Sequence, residues 1–133
     1  MGKQTPCGRV VLCENYLLFI CKRPKCTKRI HISDLIFFQS IKHRKVVHFL
    51  FNGVQFKLKI ACSLKALEEL LEDKFIRIHS QFLVNPDYIL EYSSDDMFLK
   101  GQEKRLSIAP DRFDEVDKKL KGLGFRVEEI QGK

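Results

Sequence analysis

Two short runs of cationic side chains are the residues best suited to bind an anionic partner. They are Lys22-Arg23-Pro24-Lys25-Cys26-Thr27-Lys28-Arg29 and Lys42-His43-Arg44-Lys45. Lys and Arg side chains neutralise phosphate groups, and Arg can also grip a guanine edge through two hydrogen bonds. Both runs therefore predict contacts with a nucleic acid. A basic surface that only keeps the protein soluble is the alternative.

The positive charge is concentrated in the first half of the chain. Residues 1–62 hold 12 Lys and Arg against Glu14 and Asp34, a net charge of +10. Residues 63–133 hold 12 Lys and Arg against 15 acidic residues, a net charge of −3, and the two halves sum to the +7 of the whole chain. An uneven distribution of this size is typical of proteins that bind phosphate backbones.

The cysteines do not form a recognisable metal or disulfide pattern. They contain no C-x-x-C pair, and their number is odd in a sequence without a secretory signal. We therefore expect free thiols on or between strands, with a structural zinc site as the less favoured alternative. The five are Cys7, Cys13, Cys21, Cys26 and Cys62.

An enzyme would need chemistry that this sequence does not display. It has neither a nucleophile elbow nor a Gly-rich phosphate loop, and no His, Asp and Glu set has metal-ligand spacing. Its histidines are scattered at His31, His43, His48 and His79. We therefore expect a protein that is not an enzyme and that uses no metal or cofactor.

Length and composition predict one domain covering residues 1–133. A hydrophobic content of 44% with 31% charged residues is that of an ordinary globular protein. The longest apolar runs, residues 16–21 and 35–38, are too short to cross a bilayer. Because no signal peptide opens the chain, the expected compartment is the cytoplasm.

The first sixty residues have the pattern of β-strands. Residues 9–13 and 16–22 predict a hairpin through Glu14-Asn15, and residues 46–51 and 54–60 predict another through Asn52-Gly53. Further extended pieces are expected at residues 30–32 and 35–40. The basic run at residues 22–29 is expected to be a turn, because Pro24 interrupts a strand ladder.

Helical and strand patterns alternate in the second half. Ser63 is the predicted N-cap of a helix through Asp73, whose apolar face would be Leu64, Leu67, Leu70 and Leu71. Strands are predicted at residues 75–78, 88–92, 97–100 and 125–130. A second helix is predicted over residues 111–121, with Gly122 as the residue that follows it. Many short strands with two short helices indicate a mostly β fold.

Residues 75–89 resemble the central signature of the LytTR family of bacterial DNA-binding domains. They read Phe75-Ile76-Arg77-Ile78-His79-Ser80-Gln81-Phe82-Leu83-Val84-Asn85-Pro86-Asp87-Tyr88-Ile89, and the family signature reads F-I-R-I-H-[RNK]-S-[YF]-L-V-N-x-x-Y-I. Residues 34–40 resemble the family's D-I-x-Y-I-E-A strand and residues 63–71 its S-L-K-E-L-E-x-L-L helix. The resemblance covers residues 8–121. It implies a mainly β fold with two short helices (β+α), in which small antiparallel sheets have an elongated arrangement.

The resemblance also implies that inter-strand loops, and no recognition helix, read the major groove of double-stranded DNA. The first loop is residues 42–45, with His43 or Arg44 as the base reader and Lys42 and Lys45 on phosphates. The second contains Ser80 and Gln81, while His79 and Asn85 hold its structure. The third leads to Arg112. Phosphate contacts are further expected from Lys22, Arg23, Lys25, Lys28, Arg29, Lys104, Arg105, Lys118 and Lys119.

Two segments depart from the family pattern. Ser80 stands where the family has Arg, Asn or Lys. Where the family has V-S-R-R, this chain has Ile108-Ala109-Pro110-Asp111-Arg112, with Pro110 at a position that is often Arg, although Asp111 is an acceptable helix N-cap. The expected function is sequence-specific DNA binding in bacterial transcription regulation, by a response regulator-like protein without a receiver domain. Two copies would bind direct repeats, and a regulatory protein would supply the signal. The chain is read as a stand-alone protein or as an excised C-terminal domain. The alternative function is a protein interaction module that has lost sequence-specific readout.

Overall fold

A computed structural model describes residues 8–22 and 25–123. The expectations for Cys7, Arg23 and the strand at residues 125–130 lie outside these residues. The described strands and helices are β1 (Arg9–Cys13), β2 (Tyr16–Lys22), β3 (Lys25–His31), β4 (Leu35–Ile41), β5 (Arg44–Phe51), β6 (Val54–Ile60), α1 (Leu64–Leu71), β7 (Ile76–His79), β8 (Phe82–Val84), β9 (Ile89–Tyr92), β10 (Asp96–Leu99), β11 (Leu106–Ser107) and α2 (Phe113–Gly122).

The centre of the fold is a five-stranded antiparallel sheet in the order β6-β5-β4-β8-β7. Two three-stranded antiparallel sheets, β1-β2-β3 and β11-β10-β9, complete the strands. The mainly β architecture of small antiparallel sheets with two helices is therefore confirmed.

One face of the central sheet packs against α1 and the β1-β2-β3 sheet. Leu17 and Phe19 of β2 join Phe38 and Leu83 of the central sheet in one buried cluster, and Leu67 of α1 belongs to it. The other buried cluster joins the central sheet to α2 and the β11-β10-β9 sheet, through side chains such as Ile78, Met97 and Val116. The central sheet is thus covered on both faces, and this leaves its ends and edges as its exposed parts.

Both predicted two-residue hairpins are confirmed. Glu14 opens the β1–β2 turn with a φ of 56°, and Asn52 and Gly53 have φ values of 52° and 77° in the β5–β6 turn. In the β5–β6 turn, positive φ at both central residues matches the right-handed twist of the flanking strands. The basic turn predicted at residues 22–29 is wrong, since β3 begins at Lys25 and Lys22 pairs with Lys25. The expected interruption at Pro24 lies outside the described residues.

The first helix follows its prediction closely. Ser63 Oγ accepts a hydrogen bond from the Ala66 amide at 3.1 Å, which is the N-cap interaction expected from the sequence. Leu64, Leu67 and Leu71 are buried, whereas Leu70 is only half-buried. The helix ends at Leu71, before the predicted Asp73, and a 3-10 turn follows at Glu72–Lys74. Neither helix within residues 8–22 and 25–123 is long and apolar enough to cross a membrane.

The boundaries of the second helix differ from the prediction. A 3-10 turn occupies Pro110–Arg112, α2 begins at Phe113, and Gly122 is its last residue. Asp111 is therefore not an N-cap, because Pro110 occupies the start of a separate turn that ends before the helix begins. The acidic residues in the first turn of α2 are Asp114 and Glu115, where a negative charge is favourable.

The four cysteines within the described residues are in two states. Cys13, Cys26 and Cys62 are free thiols, as expected, whereas Cys21 is disulfide-bonded. The expectation of free thiols throughout is therefore wrong at Cys21, because spacing along the chain does not show which sulfur atoms the fold brings together. Among the described residues, no three His, Cys, Asp or Glu side chains are grouped so that they could hold a metal ion.

Candidate nucleic-acid interface

The first predicted segment is the tight turn between β4 and β5. Ile41 pairs with Arg44, so that only Lys42 and His43 connect the strands. Lys42 has a φ of 55°, a left-handed conformation that costs about 1–2 kcal/mol for a residue with a side chain. Lys42, His43 and Arg44 are exposed and Lys45 is half-buried. The turn therefore presents cationic side chains from one tip.

A buried histidine supports the hairpin that carries this turn. His48 is 6% exposed, its ring stacks on Phe37 at 4.1 Å, and its Nε2 lies 3.0 Å from Oε1 of Gln39 in β4. Its Nδ1 lies 3.4 Å from the amide nitrogen of Gln55, a donor, so Nε2 carries the proton shared with Gln39. Burial, helped by the positive charge of Lys57, lowers the pKa of His48 to about 4. The ring is therefore neutral at pH 7.

The second predicted segment is the turn Ser80–Gln81 between β7 and β8, and Arg77 holds it. Arg77 Nε donates to the carbonyl of His79 at 2.8 Å, and its Nη2 donates to the carbonyl of Ser80 at 2.8 Å. Its Nη1 donates to Glu68 Oε1 of α1 at 3.1 Å. The Arg77 side chain is only 12% exposed. A single guanidinium therefore fixes the turn to α1.

His79 completes the support of this turn. Its Nδ1 accepts a hydrogen bond from the Gln81 amide at 3.1 Å, and its ring lies 5.6 Å from that of Phe82. The expected structural role of His79 is thus confirmed, although the residue is half-buried. The side chains of Ser80 and Gln81 are exposed, which leaves them available to a ligand.

Asn85 has the structural role expected of it. It is 2% exposed, its side-chain amide donates to the carbonyls of Leu35 and Ile32 at 2.8 and 3.2 Å, and its Oδ1 accepts from the Asp87 amide at 3.0 Å. These bonds fasten the chain after β8 to the start of β4.

Two backbone hydrogen bonds bring the three predicted segments to one end of the central sheet. The Ser40 amide donates to the Gln81 carbonyl at 2.9 Å, which joins the end of β4 to the second turn. The Ala109 amide donates to the Ile78 carbonyl at 2.9 Å, which joins the third segment to the end of β7. We call this surface, formed by residues 42–45, 80–81 and 109–112, the turn edge. Arg112 is half-buried on it and Asp111 is exposed.

The cations of β3 lie elsewhere. Lys28 and Arg29 line a groove with Phe51 and Phe56, which belong to the opposite end of the β5–β6 hairpin from Arg44. Arg29 also lies over the ring of Tyr16, 4.7 Å from its centroid. Lys22 and Lys25 are exposed where β2 and β3 meet. The structure therefore separates Lys28 and Arg29 from the turn edge.

Lys104 and Arg105 are also apart from the turn edge. Arg105 forms ion pairs with Glu91 at 2.7 Å and Asp96 at 3.0 Å, and these two carboxylates raise its pKa. Gln102 of the same loop exchanges hydrogen bonds with Gln55, beyond the Asn52-Gly53 turn. Lys118 is exposed, and Lys119 pairs with Glu115 at 3.3 Å on α2.

Comparison with known proteins identifies the fold and the family. The model of the LytTr DNA-binding domain matches residues 25–121. The chain belongs to the LytTR family. It is accordingly a DNA-binding domain of a kind used in transcription regulation. No curated protein matches the chain.

A solved structure supports the fold of this LytTR domain. It is the LytTr DNA-binding domain of a protein from Bacillus cereus that is named as a methyl-accepting/DNA response regulator. The two are 18% identical, with a TM-score of 0.64 over 81% of this chain and 98% of the other. At this identity the likeness concerns the fold alone.

The sequence did not reveal Arg77 as the residue that holds the second turn of the LytTR domain. Its alternation with Ile76 and Ile78 predicted only a polar face of a strand. The β7–β8 register shifts between Arg77 and His79, and the guanidinium contacts the carbonyls of His79 and Ser80. The available signal was the Arg shortly before an exposed turn. A guanidinium has enough N–H donors to bind two carbonyls and a carboxylate at the same time.

Proposed function

We propose that this LytTR domain binds double-stranded DNA sequence-specifically, with the turn edge as its contact surface. His43 or Arg44 would read bases in the major groove, since an Arg there can bind guanine O6 and N7 together. Lys42 and Lys45 would bind phosphates, and Ser80, Gln81 and Arg112 would contribute shorter or peripheral contacts. The domain would act in bacterial transcription regulation in the cytoplasm, as a stand-alone protein on paired direct repeats.

One observation carries the proposal: the Ser40–Gln81 hydrogen bond sets two exposed turns side by side. Loops can read bases because the major groove exposes its donor and acceptor pattern to any side chain of suitable reach. A turn with fixed backbone presents such side chains with little loss of conformational freedom on binding. The supported backbones of both turns favour this use.

A second candidate function rests on two side chains. Ser80 has a short reach, and the exposed carboxylate of Asp111 would face phosphates with the wrong sign. These residues favour a domain that binds protein and no longer discriminates between DNA sequences. A regulatory protein partner is part of either proposal.

Selection from a random pool of DNA duplexes tests the proposal. We expect an enriched motif, and an affinity for it that falls with rising salt by a log–log slope of about −0.9 for each phosphate contact. Lys42→Glu with Lys45→Glu should weaken binding to all duplexes alike. Lys65→Glu with Lys100→Glu is the matched control, because it changes the net charge equally at two exposed cations that are not part of the turn edge.

Two results would contradict the proposal. A pool that enriches no motif, with equal binding to random DNA at every salt concentration, would favour the interaction module. A loss of affinity in the Lys65→Glu, Lys100→Glu control equal to that of the Lys42→Glu, Lys45→Glu variant would show that overall charge, and not the turn edge, determines binding.

A further inference from the structure

The end of the β5–β6 hairpin exposes a cluster of apolar side chains. Phe51, Val54 and Phe56 are 62%, 55% and 45% exposed. The Phe56 ring lies 6.0 Å from that of Phe49 and 6.3 Å from that of Phe51, so the side chains are contiguous. Monomeric proteins seldom expose such a cluster unless it binds something. The cluster and the turn edge lie at opposite ends of β5.

Phe51 and Phe56 of this cluster, with Phe49, form one wall of a groove of about 360 Å³, whose other wall is β3. Its lining residues, which together define the hairpin groove, are Lys28, Arg29, Ile30, Phe49, Phe51 and Phe56. Within the described part of the chain, β6 is the last strand of the central sheet and β3 the last strand of its own sheet. The outer amides and carbonyls of β6 therefore have no neighbouring strand there and can pair with an added one.

The charges around the groove specify the partner. β3 and β6 contain Lys25, Lys28, Arg29, Lys57 and Lys59 and no acidic residue. Along β6, Val54 and Phe56 lie on the face of the groove, and Lys57 and Lys59 lie on the opposite face because side chains alternate along a strand. An added strand would meet apolar side chains on one face and lysines on the other. It should therefore alternate apolar and acidic residues.

The same features disfavour other occupants. A second copy of the chain, pairing through β6, would bring lysines of the two copies against each other, and like charges across a strand pair are destabilising. A nucleic acid could not satisfy the outer carbonyls of β6 as the amides of a peptide backbone do. The rings of Phe51 and Phe56 meet at 66°, which makes a pocket for a side chain instead of parallel surfaces for stacked bases.

We propose that the hairpin groove binds an extended acidic segment of a partner protein. The segment adds as a strand to the free edge of β6, places apolar side chains against Phe51 and Phe56, and places carboxylates opposite Lys57 and Lys59. This site does not depend on the proposed DNA function.

A labelled peptide of about ten residues that alternates Glu and Val is the probe, with fluorescence polarisation at pH 7.5 as the measurement. We expect saturable binding of this peptide and no binding of its counterpart with Lys in place of Glu. N-methylation of the alternate amides that face β6 should abolish binding. Methylation of the other alternate set should not, because those amides point away from the sheet edge.

Three variants of the full chain locate the site. Lys57→Glu with Lys59→Glu should lower the affinity for the Glu peptide by about tenfold. It should also confer binding of the Lys peptide, because the charge preference of the edge is reversed. Phe51→Ser removes an exposed ring and should also weaken binding. Lys65→Glu, an exposed cation on α1, is the control and should leave binding unchanged. Circular dichroism verifies that each variant is folded.

The proposal is overturned by absent peptide binding in the folded protein or by equal effects of the two N-methylated sets. It is also overturned if Phe51→Ser abolishes a dimer seen by sedimentation, or if a single-stranded oligonucleotide binds the groove and the peptide does not. Duplex binding, measured in parallel, should survive Phe51→Ser. A protein that binds the peptide but no duplex would overturn only the DNA function.

Discussion

The two turns at the centre of the turn edge are built in opposite ways. The β4–β5 turn carries long donors on Lys42 and Arg44, and its backbone is held by its own strand ladder. The Ser80–Gln81 turn carries uncharged side chains, and the Arg77 guanidinium fixes it to α1 by donating to the carbonyls of His79 and Ser80 and to the carboxylate of Glu68. The first turn therefore offers reach and the second offers a fixed shape. We expect base discrimination to come from the first and correct docking of the domain from the second.

The largest effect should come from truncating a buried side chain of α1, the helix that anchors the second turn. Leu67→Ala, at a side chain that is 1% exposed, should lower the free energy of unfolding by about 2–5 kcal/mol. Leu90→Ala is the matched control, because Leu90 is 55% exposed and should change stability by less than about 0.5 kcal/mol. Urea denaturation measures both. Equal losses would show that this face of α1 is not part of the core.

Acidification should weaken the hairpin that carries the first turn. With its pKa lowered to about 4, folded His48 stays neutral where the unfolded chain, with a pKa of 6.5, binds a proton. The contribution of neutral His48 to the free energy of unfolding is therefore full above pH 6.5. It declines by up to about 3 kcal/mol as the pH falls toward 4. His48→Gln keeps polar contacts without titrating. If its free energy of unfolding depends on pH as strongly as that of the wild type, His48 is not responsible.

Arg77 provides a direct comparison of the two turns. Arg77→Met keeps the apolar part of the side chain and should lower the free energy of unfolding by about 1.5–3 kcal/mol, because it removes hydrogen bonds from a charged donor. DNA affinity should fall while the preferred base at the first turn is unchanged. The control is Arg105→Met, which breaks an exposed ion-pair cluster that should contribute little to stability. A changed base preference in Arg77→Met would contradict the division of roles.

The smallest effect concerns specificity alone. Arg44→Ala should relax the preference at one base position by about 1–3 kcal/mol, as loss of a bidentate contact does. Ser80→Ala should change neither affinity nor preference. Competition binding with duplexes that differ at single positions measures both variants. A larger loss of preference in Ser80→Ala would assign the reading of bases to the second turn.

Local features of the fold were predictable because they depend on neighbouring residues. The Asn52-Gly53 turn and the Ser63 cap each follow from the conformations that a few side chains allow, and both were confirmed. The strand at Lys25–His31 was missed because its partner β2 determines it more strongly than Pro24 does. The late start of α2 was missed because a proline turn takes the place of the cap.

The composition of the candidate site was less predictable than the fold. The resemblance named its three segments, and the structure brings them to one edge through the Ser40–Gln81 and Ile78–Ala109 hydrogen bonds. The structure does not bring Arg105 or Lys28 to this edge. The sequence could not predict this, because a charge count along the chain does not say on which surface a side chain lies. Arg77 is the opposite case, because the sequence did not predict its role and the structure places it at the second turn. Its contacts with His79, Ser80 and Glu68 form only when β7, β8 and α1 come together.

The pairing of β4 with β8 has a consequence for how the molecule folds. β4 pairs with β5 across a two-residue turn, but its pairing with β8 joins Phe37 to Val84 and closes a loop of about 47 residues. Closing such a loop costs entropy before its contacts stabilise anything. We expect the β4–β5–β6 meander and the β7–β8 hairpin to form first and to dock late. A partly folded chain would then contain both turns, but they would not lie side by side. The proposed DNA binding would therefore appear only when β8 docks on β4, in the last step of folding.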